Sequence, residues 1–319
     1  MLNRRILRIK TFKVLYSSVL SGNMSLSEAK TQLELSCEAA RDLYLFMLGI
    51  VSPLTSTAKE RLELAKLKIN PSEEDLNPNM RFVENRLAVL LDSDPDFTKI
   101  FKKKKFSWEQ YDIFLKKVLS SVMEKQYYAD YMSAPEVTLA DDCKLFTRIF
   151  EEEFVDSPLL EQILEDMSIY WNDDLAYSLT YVCRTLSSIA KGGRWSFPPL
   201  YQSDMKPGPG VESDKAFVMK LLQCAMAGYD KYAGMVASSV SNWDNERIVG
   251  TDMALIVLGL AEAVNFPTIP LKVTINEYVE ISKFYGTPKS RIFVNGLLDK
   301  LIAKLEEDGT IVKTGKGLA

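Results

Sequence analysis

The 319-residue sequence contains no histidine. Its absence removes Ser-His-Asp and Cys-His nucleophilic catalysis, and with them every His-ligated metal centre. Cysteine is scarce: Cys37, Cys143, Cys183 and Cys224 are scattered with no CxxC pair, which argues against a zinc site or a disulfide framework. Neither GxxxxGK[ST] nor GxGxxG occurs, so the common phosphate-cradling loops are missing. The nearest approach, "KPGPG" at 206–210, has proline where such a loop needs free N–H groups, and a turn-rich linker is expected there. No apolar run reaches the roughly 18 residues of a membrane span, and the charged N-terminus lacks the long apolar stretch of a secretory signal. The expectation is a soluble, cytoplasmic protein without cofactor, metal or membrane association, in which carboxylate, lysine or tyrosine chemistry stays open.

Hydrophobic residues make up 47% and charged residues 26% of the chain, a globular profile. The net charge of −4 hides an uneven distribution. Residues 1–22 carry Arg4, Arg5, Arg8, Lys10 and Lys13 and no acid, whereas residues 149–183 carry nine acids, Glu151, Glu152 and Glu153 among them, and no base. A basic tip and an acidic belt suit two different partners. "KKKK" at 102–105, flanked by Phe101, Phe106 and Trp108, is a further candidate basic patch.

Apolar spacing of three and four residues dominates and predicts an all-α fold. Helices are expected at about 25–49, 55–68, 79–91, 107–131, 138–155, 158–170, 174–190, 214–228, 230–242 and 247–264, with a first helix over 5–20. In that helix Arg4, Arg5 and Arg8 fall within an arc of about 100°. Positive charge in a first turn opposes the helix macrodipole, so an external anion is the expected counterpart. The loop 191–213 holds Trp195, Phe197 and Tyr201, expected mainly to anchor it. At an offset of 72 residues the stretch around Trp171 echoes that around Trp243, and Leu145, Ile149, Phe150 and Phe154 parallel Phe217, Leu221, Leu222 and Met226.

Toward the C-terminus, Thr274 and Glu277 have the spacing of a capping box, placing a helix start near Thr274. Gly286 stands where a C′ glycine ends a helix, and Thr287 with Pro288 opens the next. Val294, Leu297, Leu298, Leu301, Ile302 and Leu305 then repeat at helical spacing, and Gly296 is expected to allow close approach of a neighbouring helix. The tail 309–319 is expected to be flexible.

These residues carry a resemblance. Pro270, Val273, "INE" at 275–277, Glu280, Lys283, "YGT" at 285–287, Ser290, "FVNG" at 293–296 and Leu298-Asp299 are similar to the C-terminal signature of the NusB family of bacterial transcription antitermination factors. The likeness continues upstream through Trp243, Glu246-Arg247 and "DMALIVLGLAEA" at 252–263, and returns in "NRRILRIKTFKVLYSS" at 3–18. It implies two small helical bundles packed together, and an adaptor that binds boxA RNA with the ribosomal protein NusE within the RNA polymerase antitermination complex. Arg4, Arg5 and Arg8 match the family's RNA-contacting arginines, and Tyr16 matches a position near its partner surface. Ile6 stands where another basic residue is common, which lowers the expected RNA affinity. Lys10, Lys283, Lys289 and Arg291 would add phosphate contacts, and the acidic belt at Glu151, Glu152 and Glu153 would meet a basic partner.

The implied organisation is a first helix (1–22), a helical insertion or partial duplication (23–211), a NusB-like domain (212–308) and the tail (309–319). One alternative is a protein-interaction scaffold that has weakened or lost RNA binding. A fused RNA methyltransferase is disfavoured, because the insertion reads helical and lacks a glycine-rich cofactor loop.

Overall fold

Among the described residues, most stretches with apolar residues at helical spacing form helices. The computed structural model describes residues 1–205, 213–240 and 248–318. The "KPGPG" segment, Trp243, Glu246 and Arg247 lie outside the described residues. The helices are α1 (Arg4–Ser21), α2 (Leu26–Leu48), α3 (Val51–Lys66), α4 (Glu73–Leu76), α5 (Arg86–Ser93) and α6 (Pro95–Lys103). They continue with α7 (Asp112–Met123), α8 (Gln126–Ser133), α9 (Leu139–Glu153), α10 (Pro158–Met167) and α11 (Leu175–Ala190). The last five are α12 (Asp214–Ala227), α13 (Tyr229–Val240), α14 (Gly250–Asn265), α15 (Leu271–Tyr285) and α16 (Ser290–Glu307). Among the described residues no strand forms. A single parallel bridge joins Leu2 to Tyr201, with Leu2 N donating to Leu200 O at 2.7 Å.

The chain divides into two compact units, one of Met1–Cys37 with Pro199–Ala319 and one of Glu38–Pro198. The boundaries differ from those expected at 22/23 and 211/212. The start of α2 belongs with the first unit because Ala29 and Leu33 are fully buried there and Lys30 Nζ donates to Gln223 Oε1 at 2.9 Å. The stretch from Pro199 joins it through the Leu2 bridge.

In the first unit α14 is the central helix. Residues 254 to 263 are all buried, the pattern of a helix apolar on every side. Against it pack α1, α12, α13, α15 and α16. The expected packing glycine, Gly296, faces open space, with nothing near the position of a Cβ. The close approach is made by Gly259 of α14 instead, where a Cβ would lie 2.7 Å from Leu298 Cδ2. Asn295 is likewise exposed, its amide donating to Asp299 Oδ2 at 3.3 Å.

Helix ends near the signature also differ. α15 starts at Leu271, one turn before Thr274, because Thr274 is fully buried and its hydroxyl is committed to Glu262 at 2.9 Å. α16 starts at Ser290, whose Oγ accepts from Thr287 N at 2.7 Å and donates to Asp252 Oδ2 at 2.8 Å. Gly286 has extended backbone, and its lack of a side chain makes room for Ser290 Oγ, 2.5 Å from where a Cβ would stand. The expected flexible tail is docked in its described part, with Ile311 buried and Lys313 Nζ donating to Ala263 O at 2.8 Å.

The second unit has an aromatic core. Phe46 and Trp108 stack at 4.2 Å, Trp171 lies 5.3 Å from Phe46, and Trp108 Nε1 donates to Phe46 O at 3.0 Å. Of the rings beside the lysine run, Trp108 is thus a core residue and Phe101 and Phe106 are half-buried, while Lys104 of the run pairs with Asp42 at 2.7 Å. Trp195 is buried and donates to Tyr44 Oη at 3.2 Å, an anchor as expected. The expected helix 79–91 is confined to α5, with α6 following, because Asn85 and Asp94 each cap a new N-terminus. The expected 107–131 helix breaks at Lys125, whose backbone is extended.

The sequence echo has a structural parallel. α9, α10 and α11 have 15, 10 and 16 residues, against 14, 12 and 16 for α12, α13 and α14. In each set the first helix packs on the third.

The two glycines make opposite predictions. Gly259→Leu should destabilise by about 1–3 kcal/mol or more through overpacking against Leu298. Gly296→Ala should stabilise by about 1 kcal/mol, since an exposed helical glycine gains from a Cβ. Urea denaturation of the two variants checks both signs.

Candidate nucleic-acid interface

Asn3 caps α1, its side chain accepting from Ile6 N at 3.0 Å, and so fixes which way the following arginines point. Each meets an acid from a different helix. Arg4 Nε donates to Asp214 Oδ1 of α12 at 3.2 Å, and its guanidinium lies 4.7 Å from the Phe217 ring centroid. Arg5 forms a fork with Glu277 of α15, Nε to Oε2 at 3.0 Å and Nη2 to Oε1 at 2.7 Å. Arg8 forms a second fork with Glu262 of α14, at 2.7 and 2.8 Å.

The Arg8–Glu262 pair is closed off from solvent, with side chains 4% and 0% exposed. Glu262 also accepts from Thr274 Oγ1 at 2.9 Å and Tyr278 Oη at 3.1 Å, so its carboxylate holds four donors. Burial alone would lower the Arg8 pKa, but the charge of Glu262 and its hydrogen bonds outweigh burial and raise it. Burial, reinforced by Glu262, pushes the Tyr278 hydroxyl well above its usual range. Glu277 moves the other way: burial would raise it, but Arg5 and Arg8 together hold it below the usual carboxylate value.

The expected RNA contacts therefore separate. Arg8 is buried and fully engaged, and Lys10 is buried with its ammonium 3.3 Å from Ser36 Oγ, which takes both away from an external phosphate. The macrodipole argument for an external anion is met at this helix end by internal acids, Asp214, Glu262 and Glu277. Arg5 remains the outward member, its side chain 52% exposed. Two of its five N–H donors go to Glu277, and the others point away from that fork. Arg4, Arg5 and Arg8 line an open groove of about 760 Å³ together with Ile269, Pro270 and Val273. Lys316, from the expected flexible tail, is on the same wall. Its signal in the sequence is the pair of glycines that flank it.

At the opposite end of α15, Lys283, Lys289 and Arg291 are all exposed around the joint to α16, beside exposed Phe284 and Ile292. Lys283 pairs with Glu280. Tyr16 is half-buried on α1, stacked 6.0 Å from Phe12 and close to Gly250. In the second unit, the acidic belt is less bare than its sequence suggests. Arg148 pairs with Glu152, and Lys125 lies 3.6 Å from Glu153, while Glu151 is exposed. Among the described residues no cluster suited to a metal ion occurs, and no helix is long and apolar enough to cross a membrane.

Because Glu262 is buried, removing its partner should be costly. Arg8→Met should destabilise by about 3–5 kcal/mol, the usual cost of a buried charge left uncompensated. Arg5→Gln, breaking a more exposed pair, should change stability by about 1 kcal/mol or less. Equilibrium unfolding measures both.

Residues 191–303 match the NusB family model. Over 106 residues the chain is 32% identical to the transcription antitermination protein NusB of Salinibacter ruber, covering 33% of this chain and 66% of that protein. It is 34% identical over 104 residues to the protein of the same name from Chloroherpeton thalassium, covering 33% and 49%. With that of Alkaliphilus oremlandii it shares 30% identity over 101 residues, covering 32% and 71%. The alignment thus spans less than two thirds of the first two relatives. No solved structure matches. The matched stretch contains α12 to α15 and most of α16, among them the helices that receive α1 and its arginines, and on this likeness the chain belongs to the NusB family.

Proposed function

We propose that the protein is a non-enzymatic transcription antitermination factor of the cytoplasm that binds boxA-like single-stranded RNA of ribosomal RNA transcripts. NusE would bind with it, within the RNA polymerase antitermination complex. Support comes from relatives named transcription antitermination proteins. The observation that carries the RNA reading is Arg5, an exposed guanidinium with unspent donors in a groove also lined by Ile269, Pro270 and Val273. Single-stranded RNA offers phosphates to such a cation and unstacked bases to such apolar side chains. Arg4 and Arg5 contact the backbone at one end of α15, and Lys283, Lys289 and Arg291 extend the track at the other. Arg8 and Lys10 serve the track by holding α1 in place.

NusE is assigned to the α1 face that includes Tyr16. Glu151, Glu152 and Glu153 form a separate acidic surface for a basic partner, where opposite charge acts mainly on association rate. Glu151 is its strongest member, because the other two already have basic neighbours within the unit.

Replacing Arg4 and Arg5 together by Gln should weaken binding to a boxA-like single strand. It should also flatten the dependence of log affinity on log salt, by about 0.7 for each phosphate that is no longer neutralised. Fluorescence anisotropy across a salt series, with and without NusE, measures this. Unchanged affinity and slope in a folded double variant would overturn the arginine assignment. Binding of NusE with no RNA affinity in the wild type would favour the scaffold reading instead.

A further inference from the structure

The segment after α16 is fastened by contacts on either side of an exposed lysine. After α16, Gly309 turns the chain at φ +76° and Ile311 N donates to Leu305 O at 2.9 Å. Thr314 N then donates to Pro267 O at 3.0 Å, and Lys313 Nζ reaches Ala263 O and Phe266 O at the end of α14. Gly315 follows at φ +55°, a conformation that a side chain disfavours. Gly317 is buried so closely on Pro267 that a Cβ would lie 2.0 Å from its carbonyl oxygen. Between the two glycines stands Lys316, exposed and on the wall of the Arg4–Arg5 groove. Ordering a segment costs about 1–2 kcal/mol per residue in backbone entropy alone. The segment is ordered in a way that favours glycine at 315 and leaves no room for a side chain at 317.

The charge around the groove gives that lysine a role. Arg4, Arg5 and Arg8 are matched one for one by Asp214, Glu277 and Glu262. Among the described residues no acid or hydrogen-bond partner holds the Lys316 ammonium. α15 also opens onto the groove through Pro270, with no side-chain cap and no acid in its first turn. The unbalanced positive charge of the groove thus comes from the tail. The volume, about 760 Å³, is within the range of sites that hold ligands of nucleotide size.

We propose that Lys316, held between Gly315 and Gly317, is a phosphate-contacting residue of the RNA groove, with the C-terminal segment as its wall. This rests on the RNA reading above, and it adds to α1 a contact from the other end of the chain. Lys316 supplies a point charge to a phosphodiester, beside the donors that Arg5 does not spend on Glu277.

The test uses the full chain and a short fluorescein-labelled single-stranded RNA in a salt series. Lys316→Gln should lower the salt slope by about 0.7, the value for one phosphate neutralised on a single strand, and Lys316→Arg should keep it. Gly317→Ala, which drives the tail off Pro267, should reproduce the effect with an unchanged melting transition for the rest of the unit, and adding Lys316→Gln should lower the slope no further. If Arg5→Gln flattens the slope while Lys316→Gln leaves it at wild type, the groove binds RNA without the tail and the proposal fails alone. If neither variant changes the slope, the RNA reading of the groove fails and the proposal with it.

Discussion

One buried ion pair ties together three helices of the first unit, α1, α14 and α15. Arg8 and Glu262 come from helices at opposite ends of the sequence, and both side chains are withdrawn from water. Moving such charges out of water costs several kcal/mol per ion, which only good geometry and additional hydrogen bonds offset. The geometry here is a two-bond fork, and Thr274 and Tyr278 complete the carboxylate from α15. Three helices are thereby held in a single register: sliding α1 by one turn would strand two charges. That specificity matters more than any net stabilisation by the pair, which hydrophobic residues of similar volume could equal.

The outward features follow from that register. With Arg8 turned inward on α14, Arg5 emerges at the N-terminal end of α15 and engages Glu277 with only part of its guanidinium. The Phe217 ring lies beneath both Arg4 and Arg8, at 4.7 and 5.3 Å, adding a cation–π contact to each. The groove is therefore lined by cations whose positions are set by internal acids. A rim arranged in advance loses less entropy on binding than one of mobile lysines.

Much of this is legible in the residues. Apolar periodicity locates most of the helices to within a few positions, and the INE and FVNG runs point to the family. The arginine arc shows in the sequence, but its inside and outside do not. Arg4, Arg5 and Arg8 share a face by angle, and only the packing of α14 decides that Arg8 is the one covered. Lys10 misleads for the same reason. Gly296 reads as a packing residue because it sits in the recognisable motif, whereas Gly259, in a uniformly apolar helix, gives no local signal. Thr274 and Glu277 have capping-box spacing, yet tertiary demand takes both side chains, Thr274 for Glu262 and Glu277 for Arg5. The acids that neutralise α1 are 210, 272 and 254 residues away in sequence, beyond the reach of any local pattern.

The central claim is that the arginine helix has an inward lock and an outward binding edge, and that the lock itself touches no RNA. The most direct measurement is the salt dependence of RNA affinity in the double variant Arg8→Met with Glu262→Gln. This removes both charges and keeps an amide oxygen for Thr274 and Tyr278. The account predicts a folded protein with the wild-type salt slope, because every phosphate-binding cation is still in place. A slope lower by about 0.7 in the folded double variant would mean that Arg8 binds phosphate after all, and would contradict the account.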